Sequence, residues 1–425
     1  MTSDPAHASE GANDPEPTLK ADDAPDVVIP EHLNRPHLRR ILPQPVANGK
    51  QQGVALRDPL GLADRTMVVA PTVMQALQHL NGDWTLEQIA AHGKTDPKNI
   101  LDLVRSLDEV GLLWGPTCEA LEVSKREALH RDGVLPLRQG GLIGNEPAAV
   151  ASQIDQWLQD TEDPEVDCTV RGLLSPRLDP RAMWPVYAAT FHAARTANCD
   201  RVLLLGNNHY GLGDGVCLTR AGVQSALGRL EADTDMIDAL VKVLGDDVLR
   251  DELDHIADHG CEMQAPWITS ALGGVPVVCA LLPDPLAEPI DDDDEQRCSP
   301  QAFIDAARTV IDQLDGTTLV IATGDLSHVG RQFGEPRMVD DQRRTEVEQH
   351  DRELLATLMS GDVEALDGAI AWHRNPTKWS CLGAARAMIG IVQPTSMELI
   401  DYRQQPIDEE GNAMISAAGV AAGIA

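Results

Sequence analysis

Two short runs of the 425-residue chain share one design. Val202-Leu203-Leu204-Leu205-Gly206-Asn207-Asn208-His209 is an apolar burst that stops at a glycine and a polar cluster holding one histidine. Leu319-Val320-Ile321-Ala322-Thr323-Gly324-Asp325-Leu326-Ser327-His328 repeats the pattern. A continuous apolar run of this length predicts a strand buried on both faces, as in a parallel sheet. Ligands of open α/β sheets bind beyond the carboxyl ends of such strands. Both histidines are therefore expected where ligand binding or chemistry occurs.

Alternation along the chain supports that fold class. Strands are predicted at 168–174, 201–205, 275–282, 318–322 and 396–402. Helices are predicted at 182–197, 301–314, 344–360 and 381–392. Together they indicate an α/β domain with a mostly parallel sheet flanked by helices. It is expected over residues 136–425. Asp and Glu outnumber Lys and Arg by 67 to 34, a formal net charge of −33. That argues against nucleic acid or an anionic membrane surface as partner, since phosphate contact needs a basic face. The eight cysteines form no C-x-x-C pair. No basic start with an apolar core opens the chain, and no run of about 18 apolar residues could span a membrane. A cytoplasmic protein with reduced thiols is expected.

Before the α/β domain three units are expected. Residues 1–34 are an acidic, Pro-rich tail too polar to order itself. Residues 118–135 read as a linker helix. Between them, residues 35–117 show short strands at 54–58 and 66–70. A helix follows from Pro71 through Leu80, then one capped by Thr85, one opened by Pro97, and a strand at 111–114. This order reads as a small winged helix and resembles the PqqD-like domains that recognise peptides. A winged helix more commonly binds DNA, but the third helix carries Asp102, Asp108 and Glu109, which is poor for phosphate contact. The Asp291–Glu295 acidic run reads as a solvated loop.

Four clusters could carry chemistry. His209, on a loop after a buried strand, suits metal or substrate contact, or caps the strand end by hydrogen bonding. Asp325 and His328 at i and i+3 could form an acid/base pair, or Asp325 and Ser327 could cap a helix. His255, His259 and Glu262 recur at helical spacing, but Ile256 follows the first histidine, so the H-E-x-x-H zinc pattern is absent. Cys381 stands before an apolar helix, whose N-terminus would favour a thiolate; a simple buried thiol is the alternative.

In chain order these runs resemble the Memo family, protein B of the AmmeMemoRadiSam systems. The segments carrying the likeness are Ser175-Pro176-Arg177-Leu178, Leu205–His209, Asp258–Pro266, Thr323–Gly330, Ser380–Gly383, and Tyr402 with Ala413–Ala421. The resemblance implies a fold related to class III extradiol dioxygenases, which are non-haem iron enzymes. It implies metal contacts, Fe or Cu, at His209 and Cys381, and acid/base roles for His328 with Asp325. The family's remaining ligand histidine falls on Arg177, whose guanidinium stays protonated and has no lone pair for a metal. Arg177, with His259 and Glu262, is therefore expected to bind a substrate anion. The expected function is a divergent binding or accessory protein with a degraded metal pocket, partnered by a radical-SAM protein and by a peptide or protein that the winged helix recruits. An active non-haem oxidoreductase is the alternative.

Overall fold

The computed structural model describes residues 29–424, apart from 49–50, 64, 140–141, 210–214 and 287–296. Most of the acidic tail and the Asp291–Glu295 run thus lie outside the described residues; within 1–34, Glu31–Asn34 forms one helical turn.

The N-terminal unit begins with an antiparallel sheet of β1 (Leu42–Asn48), β2 (Gln51–Arg57) and β3 (Met67–Val69). The helix predicted from Pro71 shrinks to a 3-10 turn, Pro71–Val73, and one helical turn, Met74–Leu77. No side chain caps its start. By contrast Thr85 and Gln88 form a reciprocal capping box on α1 (Leu86–Gly93). Asp96 and Pro97 start α2 (Pro97–Glu109). The strand predicted at 111–114 reduces to a single bridge, Leu113 with Leu38. Leu112 and Leu113 are instead fully buried side chains of the unit's core.

The expected linker helix is α3 (Pro116–Asp132). It is packed rather than free, because Cys118 and Leu129 belong to the core of the large domain. Leu60 and Leu62, from the loop after β2, enter that same core. Asp58 shapes this loop by accepting the backbone N–H groups of Leu60, Leu62 and Ala63 at 2.9–3.1 Å.

The large domain is built on an eight-stranded sheet. Its parallel centre is β4 (Thr169–Ser175), β5 (Arg201–Asn207), β6 (Val277–Leu282) and β7 (Thr318–Thr323), in the spatial order β4–β7–β5–β6. Two long C-terminal strands, β8 (Ser396–Pro406) and β9 (Met414–Ile424), extend it antiparallel beyond β4. Sequence reading placed β8 only as far as 402 and did not identify β9. Leu203 and Leu205 face one layer and Val202 and Leu204 the other, as the two-residue strand period requires.

Helices α4 (Pro147–Gln159), α5 (Pro180–Ala193) and α6 (Gly260–Leu272) supply one layer. The other comes from α7 (Pro300–Gln313), α8 (Asp341–Met359) and α9 (Leu382–Val392). Each Leu or Ile buried between layers contributes about 1.5–3 kcal/mol. No helix among the described residues is long and apolar enough to cross a membrane.

Candidate functional site

The carboxyl ends of β4, β7 and β5 lie side by side, so their following loops converge. They carry Arg177, Asp325 with His328, and His209 respectively. Gly324 permits the closest approach: a Cβ there would stand 2.7 Å from Cys381 Cα. The start of α9 thereby packs against the end of β7. Asn207 stitches the same region, donating to Thr323 O at 3.0 Å and accepting from Ala384 N at 3.1 Å.

Asp325 is buried and its Oδ1 accepts the backbone N–H groups of Arg177 and Leu178, at 2.9 and 3.1 Å. Burial pushes its carboxyl upward. The expected Asp325–His328 pair takes another form. His328 Nδ1 lies 3.0 Å from both Leu326 O and Lys378 O, so Nδ1 carries the proton and donates to these carbonyls. Asp325 acts on the imidazole through its charge, which opposes the downward pull of burial. Nε2 is then the basic nitrogen of neutral His328.

His209 is pulled down to about 2, first by burial and then by the Arg177 charge, with His328, His259 and Arg40 adding smaller effects. His259 falls to about 3 through burial and Arg177. Both imidazoles are therefore neutral over the physiological range. Arg177 Nη1 lies 3.6 Å from Asp258 Oδ1, an ion pair too long to be a hydrogen bond. Neither of these two buried atoms has a hydrogen-bond partner among the described residues. Asp258 spends its other oxygen on Gly260 N at 2.7 Å, and burial raises its carboxyl.

The expected helical face of His255, His259 and Glu262 is broken. Asp254–Ala257 forms one turn, Asp258 is extended, and α6 starts afresh after His259. His255 points elsewhere, its Nε2 3.1 Å from Cys217 O. Glu262 lies near the site, but both its oxygens accept backbone N–H groups, of Arg138 at 3.0 Å and Gln139 at 2.7 Å. It secures the strand of chain entering the domain. Cys381 does precede α9, yet it is wholly buried. Burial, followed by the Asp325 charge, raises its thiol, so the thiolate expected from the helix N-terminus is not favoured.

These donors do not suit a metal ion. Arg177 occupies one corner with a permanent charge and no lone pair, which leaves His209 and Cys381 as too few ligands. Among the described residues no group of three or more His, Cys, Asp or Glu is arranged to hold one.

Two features escaped sequence reading. Gln264 Nε2 donates to Pro176 O at 2.7 Å and Thr323 Oγ1 at 3.0 Å, tying α6 to the loop of Arg177. Asp351, fully buried on α8, accepts from Ser327, Trp379, Tyr402 and Ser416. Its signal was present: Val347, Asp351, Leu354, Leu355 and Leu358 share helical spacing, so the carboxylate falls on the apolar stripe.

Comparison with known proteins agrees with this architecture. A family profile described as "Memo-like protein" matches residues 138–421. A MEMO1 family protein of Aquifex aeolicus is 24% identical over 298 residues, covering 68% of this chain and 75% of its own. One from Thermus thermophilus is 25% identical over 327 residues, covering 75% and 93%. One from Methanopyrus kandleri is 32% identical over 168 residues, covering 38% and 54%. With a sheet, converging loops and matched segments that span most of its length, the chain belongs to the Memo-like protein family.

Proposed function

We propose that this Memo-family chain binds a small anion, such as a carboxylate, beside Arg177, whose charge acts on His209, His259 and His328. The observation that carries the reading is the buried Arg177 Nη1, which has no hydrogen-bond partner among the described residues. A guanidinium with an unused donor in a desolvated site binds a carboxylate or phosphate by a charge-assisted hydrogen bond. Neutral His209 and His259 can each add an N–H donor. Asp258 does not neutralise the site fully, because it stands 3.6 Å away and burial favours its protonated form. His328 Nε2, as a neutral base, would accept a proton from a ligand hydroxyl. Titration calorimetry with simple carboxylates tests this: Arg177→Gln should weaken binding at least tenfold. Equal binding by wild type and variant would overturn it. So would stoichiometric Fe or Cu in purified protein, lost in His209→Ala or Cys381→Ala; that result would support a non-haem oxidoreductase.

In cellular terms we place the chain as an accessory component of an AmmeMemoRadiSam-type system in the cytoplasm. Its N-terminal unit, read as a PqqD-like winged helix, would recruit a peptide or the radical-SAM partner. The order of capped helices after Thr85 supports this part of the reading. Affinity capture with a radical-SAM protein encoded beside it would test the assignment, and absence of binding by the full chain would retire it.

A further inference from the structure

A cleft of about 690 Å³ opens where the N-terminal unit meets the large domain, and its lining includes Arg40, Asn208, His209, Asp284 and Ser380. Strand register brings two of these together. β5 and β6 pair in parallel with Leu282 opposite Asn207, and Asn208 N donates to Leu282 O at 2.8 Å. His209 and Asp284 each follow that pair by two residues, just beyond strands that lie about 4.8 Å apart. This carboxyl edge is where open α/β sheets bind small ligands, and the volume suits one. Arg40 comes to the cleft from the N-terminal unit. Its neighbour Arg39 is buried, donating to Asp58 at 3.1 and 3.3 Å and to Gly111 O at 2.8 Å. The backbone N–H at 39 donates to Leu112 O at 2.9 Å. Leu60 and Leu62 anchor the unit in the large domain's core.

We infer that this cleft binds the zwitterion of an amino acid, with Arg40 holding the carboxylate and Asp284 the ammonium. The site is separate from the anion site beside Arg177 and does not rest on it. Among the described lining residues, Arg40 and Asp284 are the two fixed charges. Opposite charges in one small cleft fit a ligand that carries both, whereas a simple anion would meet Asp284 and a simple cation Arg40. Asp284 is oriented for this role. Its Oδ1 accepts from Leu286 N at 2.9 Å, and its Oδ2 has no partner among the described residues. Arg40 has five N–H donors, so a bond to a protein group leaves others for ligand. His209 is neutral and adds a hydrogen bond rather than a second cation. Ser380 Oγ is already engaged by the main chain of Asp325, accepting from N at 3.0 Å and donating to O at 3.1 Å. Pro285 and Leu382 give the cleft an apolar surface for the ligand's side chain.

The experiment titrates the full chain by calorimetry, at neutral pH and constant ionic strength, with leucine, N-acetylleucine and leucinamide. These carry both charges, the carboxylate alone and the ammonium alone. Leucine should bind wild type at least tenfold more tightly than either analogue. Asp284→Asn keeps an oxygen to accept from Leu286 N, and it should erase the preference over N-acetylleucine. Arg40→Gln should erase the preference over leucinamide. Arg177→Gln should leave leucine binding unchanged. Arg40 and Asp284 are both exposed, so their replacement should not move the unfolding midpoint. A preference below tenfold in wild type, or one that survives either replacement, would overturn the inference. Leucine binding lost in Arg177→Gln but kept in the other two variants would assign the ligand to the Arg177 site; the anion-binding reading would then stand and this one would not.

Discussion

The Trp379 indole N–H donates to Asp351 Oδ1 across 2.8 Å, and the carboxylate is wholly buried. Ser327 donates to the same oxygen at 2.5 Å. Ser416 and Tyr402 donate to the other, at 2.5 and 2.9 Å. Four donors thus replace the solvation that a buried charge loses. They come from the loop after β7, the segment before Cys381, β9 and β8, which surround the His328 loop. Ser327 and Ser416 add two reciprocal links, the main-chain bond from Ser416 N to Ser327 O and the bond from Ser327 N to the Ser416 hydroxyl Oγ.

Asp351→Ala should therefore destabilise the protein by about 3 kcal/mol or more, because it strands several buried donors at once. Asp351→Asn keeps the shape and should cost about half as much. Urea unfolding monitored at Trp379 and by circular dichroism checks both. A loss below about 1 kcal/mol in the alanine variant would contradict the network's structural weight.

Acid should destabilise the fold through histidines it keeps neutral. Burial lowers His255 to about 4. The unfolded chain takes up a proton near 6.5 that the native state refuses until about 4. This contribution is present above the unfolded value and is lost as pH falls between the two. Each such histidine adds a slope of about 1.4 kcal/mol per pH unit in that window. Buried Asp258 and Asp325, whose carboxyls are raised, act in the opposite sense. The clean measurement is thus a difference: His255→Gln should show a pH dependence shallower by about one proton between pH 6 and 4.5. Parallel curves would refute the assignment.

Gly324→Ala should disturb the site without touching a polar group. The added methyl would meet Cys381 Cα at 2.7 Å and Cys381 N at 3.0 Å, both backbone atoms that cannot yield cheaply. Overpacking of this kind costs about 1–3 kcal/mol. Thermal unfolding should show the loss, and carboxylate affinity should fall with it as α9 moves from β7.

Asp58→Ala should release the N-terminal unit locally. The carboxylate holds Arg39 and three backbone N–H groups of the loop carrying Leu60 and Leu62. Hydrogen exchange should rise at 58–63 and 37–40 before it rises in β4–β7. Uniform protection in the variant would count against this hinge.

The parallel centre was legible in the sequence because strands covered on both faces write themselves as unbroken apolar runs, as Val202–Leu205 and Leu319–Ala322 do. Strand β9 was harder to see: Met414–Ile424 is rich in Ala and Gly, small residues that pack where β8 and α5 come close but carry little strand preference. Arg177, His209 and Asp325 fall on the loops that follow buried strands, as their sequence context indicates, whereas His328 stands in a two-residue strand paired with Ile415. The electrostatic states of the site were not legible in the sequence, since the neutral thiol of Cys381 and the depressed His209 follow from burial that only the folded chain reveals.

Seating of Leu62 governs how this gene can be divided. Fragments beginning at residue 118 or 136 would contain the whole matched family segment, 138–421, yet they would leave the places of Leu60 and Leu62 in the large domain's core unfilled. An N-terminal fragment ending at 117 would in turn expose both leucines to water. Neither half is a self-sufficient building block, so domain exchange between relatives would have to carry the 58–63 loop together with its socket.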